Sequence, residues 1–311
     1  MMKPLIMCSV AALILSLTRV APAVAQTELH VTSGVQADGS ASEQWLAMLR
    51  RRLADAEYDS ASLVRRTMSV REQAWVDLIL SRVPAWERQA EQVAAPYAPA
   101  SAPQRTVIVT GNRGASDAFT HDARTIGFDV SALQAEYGDA VAAGNAERID
   151  RLFRHEYAHL MQKAWLASHP YVPRSPLQEA LLDIWLEGLG NHHSLSQRWR
   201  AGEMGHSIVA QETLADLEPR FIARLAALAC TSPQNAAVLM ANLSTGRFDR
   251  KWGALTAALW LEAEADDPFR AQQEFILAGP AGVWDLAGRH AAPETRAVLH
   301  EIREMERLCG T

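Results

Sequence analysis

The sequence predicts an α+β protein that is mostly α-helical. Apolar residues recur at three- and four-residue steps along most of the chain after residue 42, which is the period of a helix with one buried face. Two short runs rich in β-branched residues interrupt this pattern and predict strands. Of the 311 residues, 49% are hydrophobic and 21% are charged, which is ordinary for a globular protein. Helices are predicted over about 60–83, 145–167, 214–228, 236–243, 252–265, 272–277 and 294–308, in addition to one that begins near residue 42 and one near residue 176.

The N-terminal residues 1–25 have the pattern of a secretory signal peptide. Lys3 supplies a positive charge, Leu5–Leu17 form a short apolar core, and residues 23–25 (Ala-Val-Ala) provide the small side chains of a cleavage site. The apolar run is short compared with the roughly 20 residues that span a bilayer, which argues against an uncleaved membrane anchor. We therefore expect cleavage after Ala25 and a periplasmic or secreted protein.

The charge of the chain argues against binding to nucleic acid, and its cysteines allow one disulfide. Removal of the signal peptide takes away Lys3 and Arg19 and leaves 28 basic against 36 acidic residues, so the net charge is about −8 with neutral histidines. Binding to nucleic acid is not expected of so acidic a chain, and no other long apolar run predicts stable membrane insertion. Cys230 and Cys309 remain. An oxidising compartment allows them to form a disulfide, and two small buried hydrophobic residues are the alternative.

Changes in pattern divide the rest of the chain into three parts. Residues 26–41 show no periodicity and are predicted to form a flexible leader. A helical N-terminal subdomain follows over 42–100, and its arginine run at 50–52 is interpreted as a solvated helix face. The proline- and alanine-rich stretch at 94–104 breaks the helices, and we expect it to connect this subdomain to a larger domain over 101–311.

Two predicted strands open the larger domain. Residues 106–110 (Thr-Val-Ile-Val-Thr) and 125–130 (Thr-Ile-Gly-Phe-Asp-Val) are separated by a turn-rich segment. This order predicts that they pair as a small antiparallel sheet. An edge strand of such a sheet can accept an extended peptide through main-chain hydrogen bonds.

The strongest chemical signal is the segment His155-Glu156-Tyr157-Ala158-His159, which reads H-E-x-x-H in the middle of a predicted helix. Residues i and i+4 of a helix share a face, so His155 and His159 can present two imidazole nitrogens to one metal ion. Glu156 can take a proton from a water molecule at that metal, the general-base role in zinc hydrolases. The alternative is two surface histidines that flank a glutamate by chance, and the position on an amphipathic helix favours the metal site.

A third protein ligand is expected outside this motif, because a catalytic zinc usually has three protein ligands and one open position. The metzincin continuation requires glycine and histidine three and six residues after the second histidine. These positions are Gln162 and Trp165, which excludes that class. A following helix begins at Ser175 with a capping box and a proline at its first position. It carries three candidate carboxylate ligands: Glu179, Asp183 and Glu187.

Two segments resemble a known family. Residues 185–190 (Trp-Leu-Glu-Gly-Leu-Gly) are similar to the E-G-L-A element of gluzincins, and residues 154–160 (Arg-His-Glu-Tyr-Ala-His-Leu) are similar to their active-site helix. Together they resemble predicted zinc-dependent proteases of the DUF2268 type. The resemblance covers about 105–195 and is weak outside this range. It implies that the domain over 101–311 is a zincin-like catalytic domain, with the small antiparallel sheet beside the active-site helix.

The resemblance also implies roles for individual residues. A Zn²⁺ ion would be held by His155, His159 and Glu187, and Glu156 would be the catalytic base. Asn191 stands one helical turn after Glu187, where some gluzincins carry a carboxylate that orients a ligand histidine, and asparagine can accept that hydrogen bond without adding charge. Gly190 stands where alanine is usual.

The expected function is that of an exported zinc-dependent hydrolase, and the resemblance implies a peptidase that acts on peptide or protein substrates. Two alternatives are a zinc hydrolase of non-peptide bonds in the cell envelope and a helical binding or scaffold protein with a vestigial metal site. Glu156 argues against the scaffold, because a structural metal site needs no general base.

Tyr171 and His206 are candidates for stabilising an oxyanion. His192 and His193 are expected at the rim or as a hydrogen-bonded pair.

Overall fold

The structure is a computed structural model that describes residues 27–52, 65–97, 103–114, 116–201, 206–245, 251–264 and 266–309, with the backbone only over 196–201 and 206–214. The predicted signal peptide lies outside the described residues. The described chain is mostly helical with one small sheet, so the α+β prediction is confirmed at this level. The elements in chain order are β1 (Glu28–Ser33), α1 (Glu43–Arg52), α2 (Val70–Ala94), β2 (Arg105–Gly111), β3 (Ala118–Thr120), β4 (Thr125–Asp129), α3 (Val130–Tyr137), α4 (Asn145–Ser168), α5 (Pro176–Ala201), α6 (His206–Leu228), α7 (Pro233–Met240), α8 (Trp252–Ala263), α9 (Pro268–Ala278), a 3-10 turn (Gly279–Ala281), α10 (Gly282–His290) and α11 (Pro293–Cys309).

The sheet has four strands in the order β1-β2-β4-β3. β1 runs parallel to β2, β2 runs parallel to β4, and β3 runs antiparallel to β4. The prediction that β2 and β4 form an antiparallel sheet is therefore wrong. The reason is β3, which is only three residues long. The chain leaves β2, returns along β3 at the edge of the sheet and reverses again, so that β4 runs in the direction of β2.

The first strand lies in the segment that the sequence analysis predicts to be a flexible leader. Residues 28–33 pair with β2 along the whole strand, and Leu29 is buried in the main core with Val31 packed against it. The prediction is therefore wrong for these residues. Only two apolar side chains of this edge strand face the core, which is too few to show a period of two in the sequence.

The two faces of the sheet pack against different helices. On one face, Ile126 and Phe128 join the main core, where Trp86 of α2 stacks on Phe128 and on Phe153 of α4 with ring centroids 5.3 and 4.6 Å apart. On the other face, Trp45 of α1 forms a smaller cluster. The main core contains residues from both sides of the predicted boundary near residue 100, so α2 packs with the larger domain around one core.

Two long helices agree with the predicted ranges to different degrees. α4 spans 145–168, close to its predicted range, whereas α2 spans 70–94 and begins later than predicted. Ser69 and Glu72 form a reciprocal capping box at the start of α2, and the helix continues through Pro84. α3 and α10 were not predicted.

The C-terminal helices form a layer against the site-bearing helices. α5 packs between α4 and α8, and α6 packs against α8 and α11.

Cys230, in the turn after α6, forms a disulfide with Cys309 at the end of α11, which decides between the two alternatives for these cysteines. Among the described helices, none combines the length and the apolar composition needed to cross a membrane.

Candidate metal centre

Helix α4 presents His155, Glu156 and His159 near its middle. Its position is set by Asp150, which accepts hydrogen bonds from Trp86 Nε1 at 2.8 Å and from Arg82 Nη2 at 2.7 Å. One turn of helix brings the two histidine Nε2 atoms to 3.0 Å from each other, with the rings almost perpendicular at 88°. The helix therefore aims two imidazole nitrogens at one point.

Helix α5 brings Glu187 to the same point. Glu187 Oε2 lies 3.6 Å from His155 Nε2, and Glu187 Oε1 lies 3.3 Å from His159 Nε2. Among the described residues, these three form the only group of three or more histidine, cysteine or acidic side chains whose ligand atoms all lie within 4.8 Å of one another. The group can hold a metal ion. Asp183 and Glu179, the other two candidate ligands, are not part of it.

The ligand atoms of these three residues lie close enough together to share one metal ion. A tetrahedral site with metal–ligand bonds of about 2.0–2.1 Å places neighbouring ligand atoms about 3.3–3.4 Å apart. The two imidazole nitrogens are 3.0 Å apart, Glu187 Oε2 lies 3.6 Å from His155 Nε2, and Glu187 Oε1 lies 3.3 Å from His159 Nε2. With one ligand atom taken from each residue, all three atoms lie within 4.8 Å of one another, which is close enough for one ion to be shared.

The charges within the group favour an ionised Glu187 and a neutral His155, the forms that bind a metal, whereas without a metal they favour the protonated form of His159. Burial alone would raise the pKa of Glu187, but the hydrogen bond and charge of His159, with the charges of His155 and Lys251, hold this pKa well below its usual range. Burial, and then the charge of His159, lower the pKa of His155. Burial also lowers the pKa of His159, but Glu187 outweighs this effect and the pKa is raised overall. Glu187 is thus an anion, and His155 favours its neutral form.

Gln162 orients His159. Its side chain is fully buried, and its amide nitrogen donates to the carbonyl oxygens of Trp185 at 3.0 Å and Leu186 at 3.2 Å on α5. Its oxygen must therefore face His159 Nδ1, which lies 3.0 Å away and can donate to it. A proton held on Nδ1 leaves the lone pair of Nε2 for a metal, so Gln162 selects the tautomer of His159 that binds one.

Gly190 makes room for the other ligand histidine. A Cβ atom at this position would lie 2.9 Å from His155 Cε1 and 3.0 Å from its Nδ1. A side chain at this position would therefore press on the His155 ring, and glycine avoids that contact. The adjacent Asn191 is buried and lines the same cavity, but its side-chain nitrogen has no hydrogen-bond partner within the described ranges.

Glu156 lies beside the ligand group and is held by the edge strand β3. Thr120 Oγ1 donates to Glu156 Oε2 at 2.8 Å and also lies 2.7 Å from the main-chain oxygen of Glu156. Lys163, one turn after His159 on α4, donates from Nζ to the main-chain oxygen of Thr120 at 2.7 Å. This arrangement fixes the Glu156 carboxylate next to the two histidines.

The site opens into a large cavity of about 1330 Å³ that contains both ligand histidines, Glu156 and Glu187. Lys251, at the start of α8, places Nζ 3.3 Å from Glu187 Oε2. Asp183 also lines the cavity, and burial, followed by the charges of Glu179 and Glu187, raises its pKa to about 6. The cavity therefore provides charged side chains and space for an extended ligand.

The remaining residues proposed from the sequence are elsewhere. Tyr171 is not among the described residues that line the cavity, and it lies close enough to Glu306 of α11 for that charge to add to the effect of burial in raising its pKa. The side chain of His206 lies outside the described part of the chain. His192 is buried, and its Nε2 contacts Gln272 Nε2 at 2.9 Å. His193 is partly exposed, and desolvation is the first cause that holds its pKa far below the usual value. Neither histidine lies at the rim of the cavity.

Several polar residues of the site were not predicted from the sequence. Lys163 and Gln162 follow His159 by four and three residues, so their position on the helix could have shown that they face the same side. Thr120 is 36 residues from Glu156, and Lys251 is 64 residues from Glu187. No local pattern connects residues so far apart.

Comparison of the chain with protein-family models, curated proteins and solved structures found no match in any of the three. The metal-binding group consequently rests on the geometry of this chain alone.

Proposed function

We propose that this protein is a zinc-dependent hydrolase that cleaves peptide bonds. The observation that carries the proposal is the group formed by His155, His159 and Glu187, with the Glu156 carboxylate beside it in an open cavity. A structural metal site is closed by four protein ligands, whereas three ligands facing a cavity leave a position for a reacting molecule.

Zinc is the metal that this donor set fits best. Two imidazoles and a carboxylate are a common protein ligand set of hydrolytic zinc. Bound there, zinc supplies a Lewis acid that polarises a carbonyl group and makes water acidic near neutral pH.

Glu156 acts as the general base in this proposal. Thr120 donates to Oε2, which fixes the orientation of the carboxylate and leaves Oε1 as the oxygen that accepts a proton from the attacking water. Glu156 then donates this proton to the nitrogen of the leaving amine. Glu156 of α4 is buried against β3, which keeps its carboxylate in position during both proton transfers.

The position of β3 supports a peptide as the substrate class. β3 is an edge strand, and its residues line the cavity together with the ligand histidines. An extended chain beside this edge would pass the metal group. The resemblance of the two motif segments to gluzincin proteases agrees with this choice.

We also propose that the protein acts in the periplasm or outside the cell. The N-terminal pattern of a signal peptide supports export. The disulfide between Cys230 and Cys309 supports it independently, because disulfides persist mainly in oxidising compartments.

The first experiment measures the metal content of purified wild type, Glu187→Ala and Asp183→Ala. We expect about one zinc per chain in the wild type and in Asp183→Ala, and loss of zinc in Glu187→Ala. Asp183 is the matched control, because it is a carboxylate on the same helix, lines the same cavity and lies outside the ligand group. A wild type that binds no zinc after supplementation rejects the metal site.

The second experiment measures hydrolysis of fluorescently labelled casein by the zinc-loaded protein. A chelator should abolish the activity, and added zinc should restore it. Glu156→Gln should bind zinc normally and lose activity by about 10²-fold or more. Hydrolysis that is unchanged in Glu156→Gln would refute the assigned role of Glu156. A zinc-loaded wild type without any hydrolytic activity would favour a scaffold function.

A further inference from the structure

The free edge of β3 is covered by side chains of the protein itself. In an antiparallel pair, residues that bond to the partner strand alternate with residues whose main-chain groups point away from it. The bonds from Asp129 N to Asp117 O and from His121 N to Thr125 O mark the odd positions as bonded to β4. The main-chain groups of residues 118 and 120 therefore point to the free edge.

Both outward carbonyl groups already have donors. Ser116 Oγ donates to the oxygen of Ala118 at 3.2 Å, and Arg52 Nη2 in turn donates to Ser116 Oγ at 3.0 Å. Lys163 Nζ donates to the oxygen of Thr120 at 2.7 Å. A peptide that pairs with β3 competes with these donors, because its own amide groups approach the same carbonyl oxygens.

Lys163 places a partly buried cation at this edge, inside the cavity. Its side chain lies beside Glu156, and burial lowers the pKa of its ammonium group. Glu156 and Asp122 attract this ammonium group, and Arg51 and Arg52 repel it. An incoming peptide along this edge places new acceptors within reach of Lys163, and a carboxylate is the strongest acceptor that a peptide offers.

We propose that the preferred substrates are peptides with an acidic side chain within two residues of the cleaved bond, bound by Lys163 with Arg52 as a second cation. Both residues line the cavity that contains the metal group. The arginine run interpreted from the sequence as a solvated face thus contributes one residue to the substrate site. This inference rests on the proposed peptidase function and names its substrate class.

The test is digestion of a decapeptide library with randomised central positions by the zinc-loaded protein, with cleavage sites mapped by mass spectrometry. We expect aspartate and glutamate to be enriched about fivefold at one position within two residues of the cleaved bond, the ratio expected for one partly buried ion pair. Lys163→Met should remove the enrichment, Lys163→Arg should retain it, and Arg52→Met should reduce it. Arg50→Met is the matched control, because Arg50 belongs to the same run, is exposed and does not line the cavity.

A binding measurement separates substrate recognition from chemistry. Fluorescence anisotropy would compare a labelled peptide of the preferred sequence with its glutamine analogue on Glu156→Gln protein, with and without the added Lys163→Met change. The glutamate peptide should bind about fivefold more tightly only when Lys163 is present. Thermal unfolding of each variant shows whether it is folded, and Lys163→Gln, which also removes the charge, serves if Lys163→Met is not folded.

Two failures can be distinguished. Cleavage without acidic enrichment, or enrichment that survives both Lys163→Met and Arg52→Met, overturns this inference and leaves the peptidase intact. The absence of any cleavage by zinc-loaded wild type overturns the peptidase proposal, and the substrate preference falls with it.

Discussion

Replacement of Gln162 by methionine tests how the structure prepares His159 for a metal. The change preserves the approximate side-chain size and removes all three hydrogen bonds of the amide, so that His159 Nδ1 loses its acceptor. Loss of such an outer partner typically weakens metal binding by about 10–100-fold, which corresponds to about 1.4–2.7 kcal/mol. The lost bonds between α4 and α5 should also lower the free energy of unfolding of the metal-free protein by about 1–3 kcal/mol.

The assay is a competition titration of zinc against a chromophoric chelator, together with thermal unfolding of the metal-free protein. Asn145→Ala is a suitable control. Asn145 is also buried on α4 and donates to two main-chain oxygens, those of Tyr137 and Asp139, but it does not touch a ligand histidine. It should lower stability by a similar amount and leave zinc affinity unchanged. Wild-type zinc affinity in Gln162→Met would refute the view that this amide selects the tautomer of His159.

Two further predictions concern a steric and an electrostatic feature. Gly190→Ala should lower zinc affinity by about tenfold or more, because the added Cβ would lie 2.9 Å from His155 Cε1. Gly188→Ala is the control, because its added Cβ would contact α8 instead. Equal zinc affinities in the two variants would contradict the prediction. Burial would raise the pKa of Glu72, but hydrogen bonds with Arg66 and with neighbouring hydroxyl and amide groups lower it to about 2 from an ordinary 4.5. The stabilisation is therefore complete above pH 4.5 and is lost as the pH falls towards 2. Glu72→Gln should destabilise the protein at pH 7 by an amount that shrinks below pH 4.5 in chemical unfolding experiments, and a difference independent of pH would disprove this origin.

Structural features that depend only on residues close together in the sequence, such as the face of one helix, could be predicted. The H-E-x-x-H spacing on a helix is sufficient to bring His155 and His159 to one face, because the helical period alone determines it. The range of α4 was predicted within one residue at each end, since its apolar period is regular over its whole length. The signal that Gln162 and Lys163 belong to the same site was also present in their spacing from His159.

The direction of the strands shows where local patterns stop being informative. β2 and β4 were both predicted, but β3 is three residues long and β1 shows little alternation, so neither gave a detectable pattern. Without β3, two strands joined by a turn-rich segment suggest an antiparallel pair. The additional reversal makes them parallel, and only the folded chain contains that information.

Sequence alone determined the chemistry that α4 can present: two imidazoles and a carboxylate on one helical face. The spacing of carboxylates offered Glu179, Asp183 and Glu187 on the following helix as candidates for the third ligand, and the resemblance to gluzincins implied Glu187. Only the packing of α5 against α4 brings Glu187 beside the two histidines, because carboxylates one turn apart on a helix look equivalent until a partner helix faces them. Packing likewise brought Lys251 to Glu187, and it gave Gly190 its steric role against His155. Such contacts depend on the relative placement of whole elements, which the period of any single helix does not specify.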